Sequence, residues 1–459
     1  MAATATILER CRVAPPLEGA AAAEQILPLT FFDMPWLYFH PIHRLLFYKF
    51  PCSKTHFLET IVPNFKYSLS QTLKHFFPVA GSCIYPLNSE KIPELRYVPG
   101  DSVSVTIAEA SEAHDLNRLT GNQPRVADEF YAFFSELPQP ERSPESEFDK
   151  IPLFTAQITL FPDAGVCVGF NNHHIVGDAS SIVSFIKAWC SVAKLGSDDE
   201  FSSSSDSLPL YDRSVVSDQS GLLNHYWNQM STSKVLSLPL KFPLNKVRAT
   251  YILQKRDVQK LRDFVQSKKP HLTHLSSFTI TSAYVWTSLV KSAAESGDKV
   301  ADDEPEYFAF AVDSRQRMDP PVPAAYFGNC VGMAVAISTH AELKGGDGFL
   351  IAVELIGDVI GNKVNKKGEL LRDADEWLSK FGGMIGKRMF GVAGSPKFDL
   401  YDADFGWGNP NKFESVSIDG DGSMSLCKSR EFDGGLEIGM SLSKEKMDAF
   451  ANIFSDGLN

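Results

Sequence analysis

Apolar residues recur at helical spacing over 58–77, where Phe65, Leu69, Leu73 and Phe76 share one side and Pro78 stops the run. This predicts an amphipathic helix packed on a core. Upstream, residues 28–32 lead through Asp33 and Pro35 into an aromatic stretch at 36–39, read as a buried turn and a short element. Strand-like runs follow at 94–98 and 103–107, divided by the breakers Pro99 and Gly100. Two more, at 156–161 and 166–170, are separated by Pro162, Asp163, Ala164 and Gly165, the residue types of a hairpin turn. The second run enters Asn171-Asn172-His173-His174 directly. Beyond Asp178 the period becomes helical, with Ile182, Ile186, Trp189 and Ala193 on one face. His174 is thus expected on a strand-to-helix turn.

The second half repeats the mixture. Strands are predicted at 249–253 and 307–312, helices at 256–266, 277–292 and 349–360. Near the end Leu436, Ile438, Met440 and Leu442 alternate strictly, and Met447, Phe450 and Phe454 mark a last amphipathic helix. Serine and acid dominate 196–207, which reads as a flexible surface crossover. A chain of 459 residues exceeds what one core usually supports. We therefore expect two mixed α/β domains, 1–210 and 211–459, divided after that crossover, with a site able to lie between them.

Composition narrows the class. No apolar run approaches the ~20 residues that span a bilayer, and the alanine-rich amino terminus lacks the parts of a secretion signal. Seven scattered cysteines suit reduced thiols better than a disulfide framework, and no CxxC pair suggests a metal. A cytoplasmic, water-soluble protein is expected. It is expected to be a monomer, because no heptad or exposed apolar stripe calls for a partner. The net charge of −12 argues against nucleic acid, yet leaves room for a small anion at a local basic patch.

His174-Ile175-Val176-Gly177-Asp178 places a histidine after a strand, a glycine where the backbone turns, and a helix-capping aspartate. Neutral imidazole suits proton abstraction from an alcohol. Set against this, Asp178 could be only a cap and His174 a satisfied core histidine; His173 is a second candidate base. No GxSxG elbow, HExxH, P-loop or dinucleotide fingerprint competes. Asp404-Phe405-Gly406-Trp407-Gly408 reads mainly as a tight structural turn, with Asp404 kept as a lesser proton acceptor. Val312-Asp313-Ser314-Arg315-Gln316-Arg317 carries two arginines, one of which could pair with Asp178 if they are not a solvated surface pair. The basic run Lys268-Lys269-Pro270-His271-Leu272-Thr273-His274 precedes Ser276 and Ser277 at a helix start, a seat for phosphates or a bare solvated loop.

Taken together, HxxxD at mid-chain, DFGWG near the end, and Tyr326-Phe327-Gly328-Asn329-Cys330 resemble the BAHD acyltransferases of plants, in the branch acting on anthocyanins and other phenolic glucosides. Further matches run from 27–33 through 211–216 and 394–397 to 436–450, covering nearly the whole chain. The resemblance implies two chloramphenicol acetyltransferase-like domains with a channel at their interface. It further implies His174 as base, direct transfer without an acyl-enzyme, Asp178 turned toward Arg315, and DFGWG far from the centre. Donor contacts are implied at His40, Lys269, His274, Ser276 and Ser277, with Gly177, Gly406 and Trp407 as structural support. The stretches 270–279 and 416–440 look most like malonyltransferases, which implies malonyl-CoA as co-substrate and no tightly bound cofactor. Hydroxycinnamoyl transfer to the same acceptors is the alternative, and a non-catalytic binding relative is a reading of another class.

Overall fold

The computed structural model describes residues 5–88, 90–142, 147–199, 208–231 and 242–458; residues 200–207 of the expected crossover lie outside them. Three sheets organise the chain. The first orders its strands Thr6–Val13, Val103–Glu109, Phe154–Phe161, Gly165–Asn172, Ile42–Tyr48 and Lys412–Ser415. Its neighbours are antiparallel except for the 103–109 and 154–161 pair. The second orders Val331–Thr339, Pro305–Asp313, Arg388–Ala393, Ser423–Lys428, Leu436–Ser443, Lys246–Leu253 and Arg125–Val126. A smaller sheet joins Gln25–Pro28, Glu94–Tyr97, Ser82–Pro86 and Phe148–Pro152.

The hairpin expected around 162–165 is present. Every residue of Phe154–Phe161 and Gly165–Asn172 is buried, which is why both read as continuous apolar runs rather than as alternation. Helices Val62–His75 and Ala179–Leu195 pack on one another, with Phe65 and Trp189 ring centroids 4.6 Å apart and Trp189 Nε1 donating to Ser68 Oγ at 3.1 Å. The first of these starts earlier than its apolar period suggests. Ser53 Oγ accepts from His56 N at 3.2 Å, and a π turn at Phe57–Ile61 carries the chain into the regular helix. In the second half, helices Ser277–Glu295, Gly348–Val359 and Lys444–Asp456 surround a core that includes Trp286, Phe308, Ile438 and Phe450.

The expected boundary near 210 lies between the two large sheets in chain order, but two strands cross it. Strand 412–415 completes the first sheet, and strand 125–126 completes the second. Their crossing is fixed by charge. Arg125 and Arg248 face each other directly across the ladder, an arrangement that repels. Glu414 lies between them, accepting from Arg125 Nη1 at 2.7 Å and Arg248 Nη2 at 2.9 Å. Asp419 takes the other arm of Arg248, and both guanidinium groups lie over the Phe130 ring. All four charged side chains are at most 4% exposed. Burial alone would raise the Glu414 carboxyl, but Arg125, Arg248 and Lys412 outweigh it and hold the pKa at about 2.

Replacing Glu414 by Gln leaves two buried guanidinium groups opposed without their shared anion. A stability loss of ~3–5 kcal/mol is expected by chemical denaturation. Lys444→Ala, which removes an exposed helix pair with Asp448, is the control and should leave the denaturation midpoint unchanged.

Candidate active site

His174 begins a short 3-10 turn, His174–Val176, between the fully buried strand 165–172 and the helix 179–195. Gly177 has extended backbone, so its need is spatial rather than torsional: a Cβ there would stand 2.8 Å from that of Ser181. Asp178 caps the helix, its Oδ1 accepting from Ser181 N at 3.1 Å. The same carboxylate receives Arg315 through both arms, Nη1 to Oδ2 at 2.8 Å and Nη2 to Oδ1 at 3.1 Å, and Cys330 N donates to Oδ2 at 3.0 Å. Capping and arginine pairing thus occur together. Asp178 is 2% exposed, and its two oxygens are occupied by Ser181, Arg315 and the Cys330 amide.

The Asp178 group draws in the 326–330 loop. Ser181 Oγ accepts from Gly328 N at 3.0 Å and donates to Gly328 O at 2.9 Å. Gly328 has φ 155, and a Cβ would lie 2.1 Å from Arg213 Nη1, which donates to Tyr326 Oη and Phe327 O. This delivers Asn329 to the histidine. Asn329 Nδ2 donates to Asp33 Oδ1 and to His174 O, both at 3.0 Å, so its Oδ1 is the end that faces His174 Nδ1 at 3.1 Å. Asp33 is itself fully buried and fixed by Thr30, whose N and Oγ1 reach Oδ2 at 2.7 and 2.8 Å. An acceptor at Nδ1 requires the proton there, leaving Nε2 with its lone pair.

Trp36 stacks on the His174 ring with centroids 3.8 Å apart and planes at 11°, and Phe39 meets it edge-on at 5.6 Å. The ring is half-buried rather than sealed. Burial drives the His174 pKa down to about 3; the charges of Arg44 and His40 add to this, against hydrogen bonds that raise it. The imidazole is therefore neutral at physiological pH. His173 is 2% exposed, its Nδ1 accepts from Ile175 N at 3.2 Å, and burial lowers it to about 4. It is a core histidine, whereas His174 is only half-buried.

Of the other residues singled out in the sequence, His40 lies beside this group, its ring 4.2 Å from Phe39 and its Nδ1 3.1 Å from Pro41 O. Lys269, His274, Ser276 and Ser277 form a separate group on the second half. Lys269 pairs with Glu354, His274 lies against Gly361, Ser276 caps the 277–295 helix, and Ser277 Oγ accepts from Arg262 at 3.4 Å. Asp404 is remote as well. Its Oδ1 accepts from Gly406 N and Gly408 N at 2.8 and 2.9 Å, and its Oδ2 from Lys194 at 2.8 Å. Lys194 lies sixteen residues along the helix from Asp178, about 24 Å. Both Asp404 oxygens are thus taken up within its own turn and by Lys194: burial raises its carboxyl, but Lys194 and the two amides outweigh it and lower the pKa. Gly406 and Gly408 take the left-handed φ of 93 and 83 that closes this turn, and Trp407 packs edge-on against Tyr48 at 5.4 Å. Sequence reasoning missed the partnership of Asn329, Asp33 and Trp36 with His174, although all three fall in segments it had marked.

The histidine shifts carry a sign. Both folded-state values lie below the ordinary 6.5, so the unfolded chain binds more protons as pH falls. Their stabilising contribution is complete above pH 6.5 and drains away as pH drops from there toward 3. Resolved imidazole signals should show His174 unprotonated at pH 5; a midpoint near 6.5 would contradict the lowering by burial.

The transferase family model matches residues 4–456. The malonyl-coenzyme:anthocyanin 5-O-glucoside-6'''-O-malonyltransferase of Salvia splendens is 46% identical, over 99% of this chain and 96% of its own. Phenolic glucoside malonyltransferase 1 of Nicotiana tabacum is 44% identical over 99% of each. Vinorine synthase shares the two-domain, chloramphenicol acetyltransferase-like fold, with a TM-score of 0.68 at 19% identity over 97% of this chain and 96% of that one. No helix among the described residues is long and apolar enough to cross a membrane. With likeness running end to end and the HxxxD turn, its arginine and the YFGNC loop gathered around one imidazole, the protein belongs to the transferase family of BAHD acyltransferases.

Proposed function

We propose that the protein transfers a malonyl group from malonyl-CoA to a sugar hydroxyl of a phenolic glucoside, with His174 as general base. The observation that carries the mechanism is the 3.1 Å contact of His174 Nδ1 with Asn329 Oδ1, which favours the tautomer with its proton on Nδ1 and leaves Nε2 to accept one. The donor and acceptor assignment is supported by the names of the Salvia and Nicotiana relatives. We place the thioester and the sugar in a channel on opposite sides of the ring.

In this mechanism Nε2 removes the hydroxyl proton as the sugar oxygen bonds to the thioester carbonyl carbon. The tetrahedral oxyanion then collapses, the carbon–sulfur bond breaks, and the imidazolium returns its proton to the departing thiolate. The burial that lowers the His174 pKa keeps the imidazole in the neutral form that the first transfer needs. Direct transfer fits the neighbouring thiol. Cys330 is buried at the back of the Asp178 group, and burial raises its pKa, so it stays protonated and unreactive.

His174→Ala is expected to lower turnover by roughly 10²- to 10⁴-fold, with the thermal midpoint held near wild type. Full activity in that variant would end the mechanism. Malonyl-CoA offered in competition with coumaroyl-CoA, with a flavonoid glucoside as acceptor, should give the malonyl ester as main product. Preference for the coumaroyl donor would move the protein to aromatic acyl transfer, and no release of free coenzyme A from any donor would mark a binding protein.

A further inference from the structure

Next to His174, Arg44 is a cation with no counter-ion among the described residues. It lies on strand 42–48, opposite Phe170, and its Nη1 donates to Asn172 Oδ1 at 3.1 Å. Asn172 is two residues beyond Phe170, so it faces the same side of the sheet, and its Nδ2 donates to the His173 carbonyl at 3.3 Å. The guanidinium is thus fixed to the peptide that leads into His174. The fully buried arginines have carboxylates: Arg125 and Arg248 share Glu414, and Arg315 has Asp178, while the half-buried Arg213 is spent on Tyr326 Oη and Phe327 O. Among the described residues Arg44 has no such carboxylate.

Arg44 is half-buried, and among the described residues its hydrogen-bond partner is Asn172 through Nη1, which leaves its other N–H groups available to a further acceptor. Burial lowers its pKa to about 10, which leaves it charged at neutral pH. Holding a half-buried charge with no anion costs stability, and a neutral side chain on this strand would avoid that cost.

The chemistry of the donor supplies the missing anion. In a malonyl thioester the free carboxyl carbon is only about 2.5 Å from the carbonyl carbon under attack. Its binder must therefore lie within reach of the imidazole rather than out near the coenzyme. We infer that Arg44 receives the free carboxylate of the malonyl group through its unpaired N–H donors and so sets the preference for a dicarboxylic donor. The inference rests on the malonyl reading above.

Malonyl-CoA and acetyl-CoA share the coenzyme and differ by that carboxylate, so their kcat/KM ratio isolates it. In Arg44→Gln the malonyl-to-acetyl ratio is expected to fall ~10- to 100-fold, chiefly through the KM for malonyl-CoA, with partial recovery in Arg44→Lys. Arg44→Met, which keeps the unbranched stem, should fall likewise and decides the matter if the glutamine variant misfolds. An unchanged ratio, with both donors losing equally, overturns the inference and assigns Arg44 to the scaffold or the shared coenzyme. A wild-type protein that prefers coumaroyl-CoA to malonyl-CoA overturns the malonyl reading itself, before any substitution is made.

Discussion

The carboxylate of Asp178 is the point on which the site is assembled. It accepts from the first turn of its own helix, from both arms of Arg315 and from the Cys330 amide, so one buried anion ties the strand-to-helix turn to a loop from the other half of the chain. Two consequences follow from the geometry. The turn that aims His174 is pinned at its far end, and the loop that carries Asn329 is pinned at its root. The imidazole is thereby oriented by contacts on both sides without any negative charge touching it, which suits a base that must be neutral before it acts.

Much of this was readable in the sequence because the chemistry is local. The hairpin, the glycine at the turn, the helix cap and the mid-chain histidine lie within a few tens of residues, and each follows from a short-range rule. The Asp178–Arg315 pair was also foreseeable, since a buried carboxylate needs a partner and an arginine lay in a marked segment. Asn329 was harder. It sat in a quoted motif, but its task depends on Asp33 and His174, which approach it only through folding.

The elements that escaped detection did so for definable reasons. Strand 331–339 inverts the usual contrast: it buries Gly332, Ala334 and Ala336, while Val331, Met333, Val335 and Ile337 look outward. Gly332 has to be small because Leu370 lies 3.0 Å from where its Cβ would be. Strand 412–415 reads Lys-Phe-Glu-Ser, a surface sequence by composition, yet Lys412 and Glu414 are buried in a charge cluster. A hydropathy pattern assigns such residues to water; only their cross-chain partners make the interior acceptable.

That exchange of strands has a dynamic meaning. Each large sheet is finished by a strand borrowed from the opposite half, and the borrowed pieces are locked by opposed guanidinium groups around one shared anion. Such a body does not open like a jaw, because separating the halves would tear two ladders and strip a buried charge at once. Access to the His174 turn therefore falls to side chains and loops rather than to a hinge between the halves.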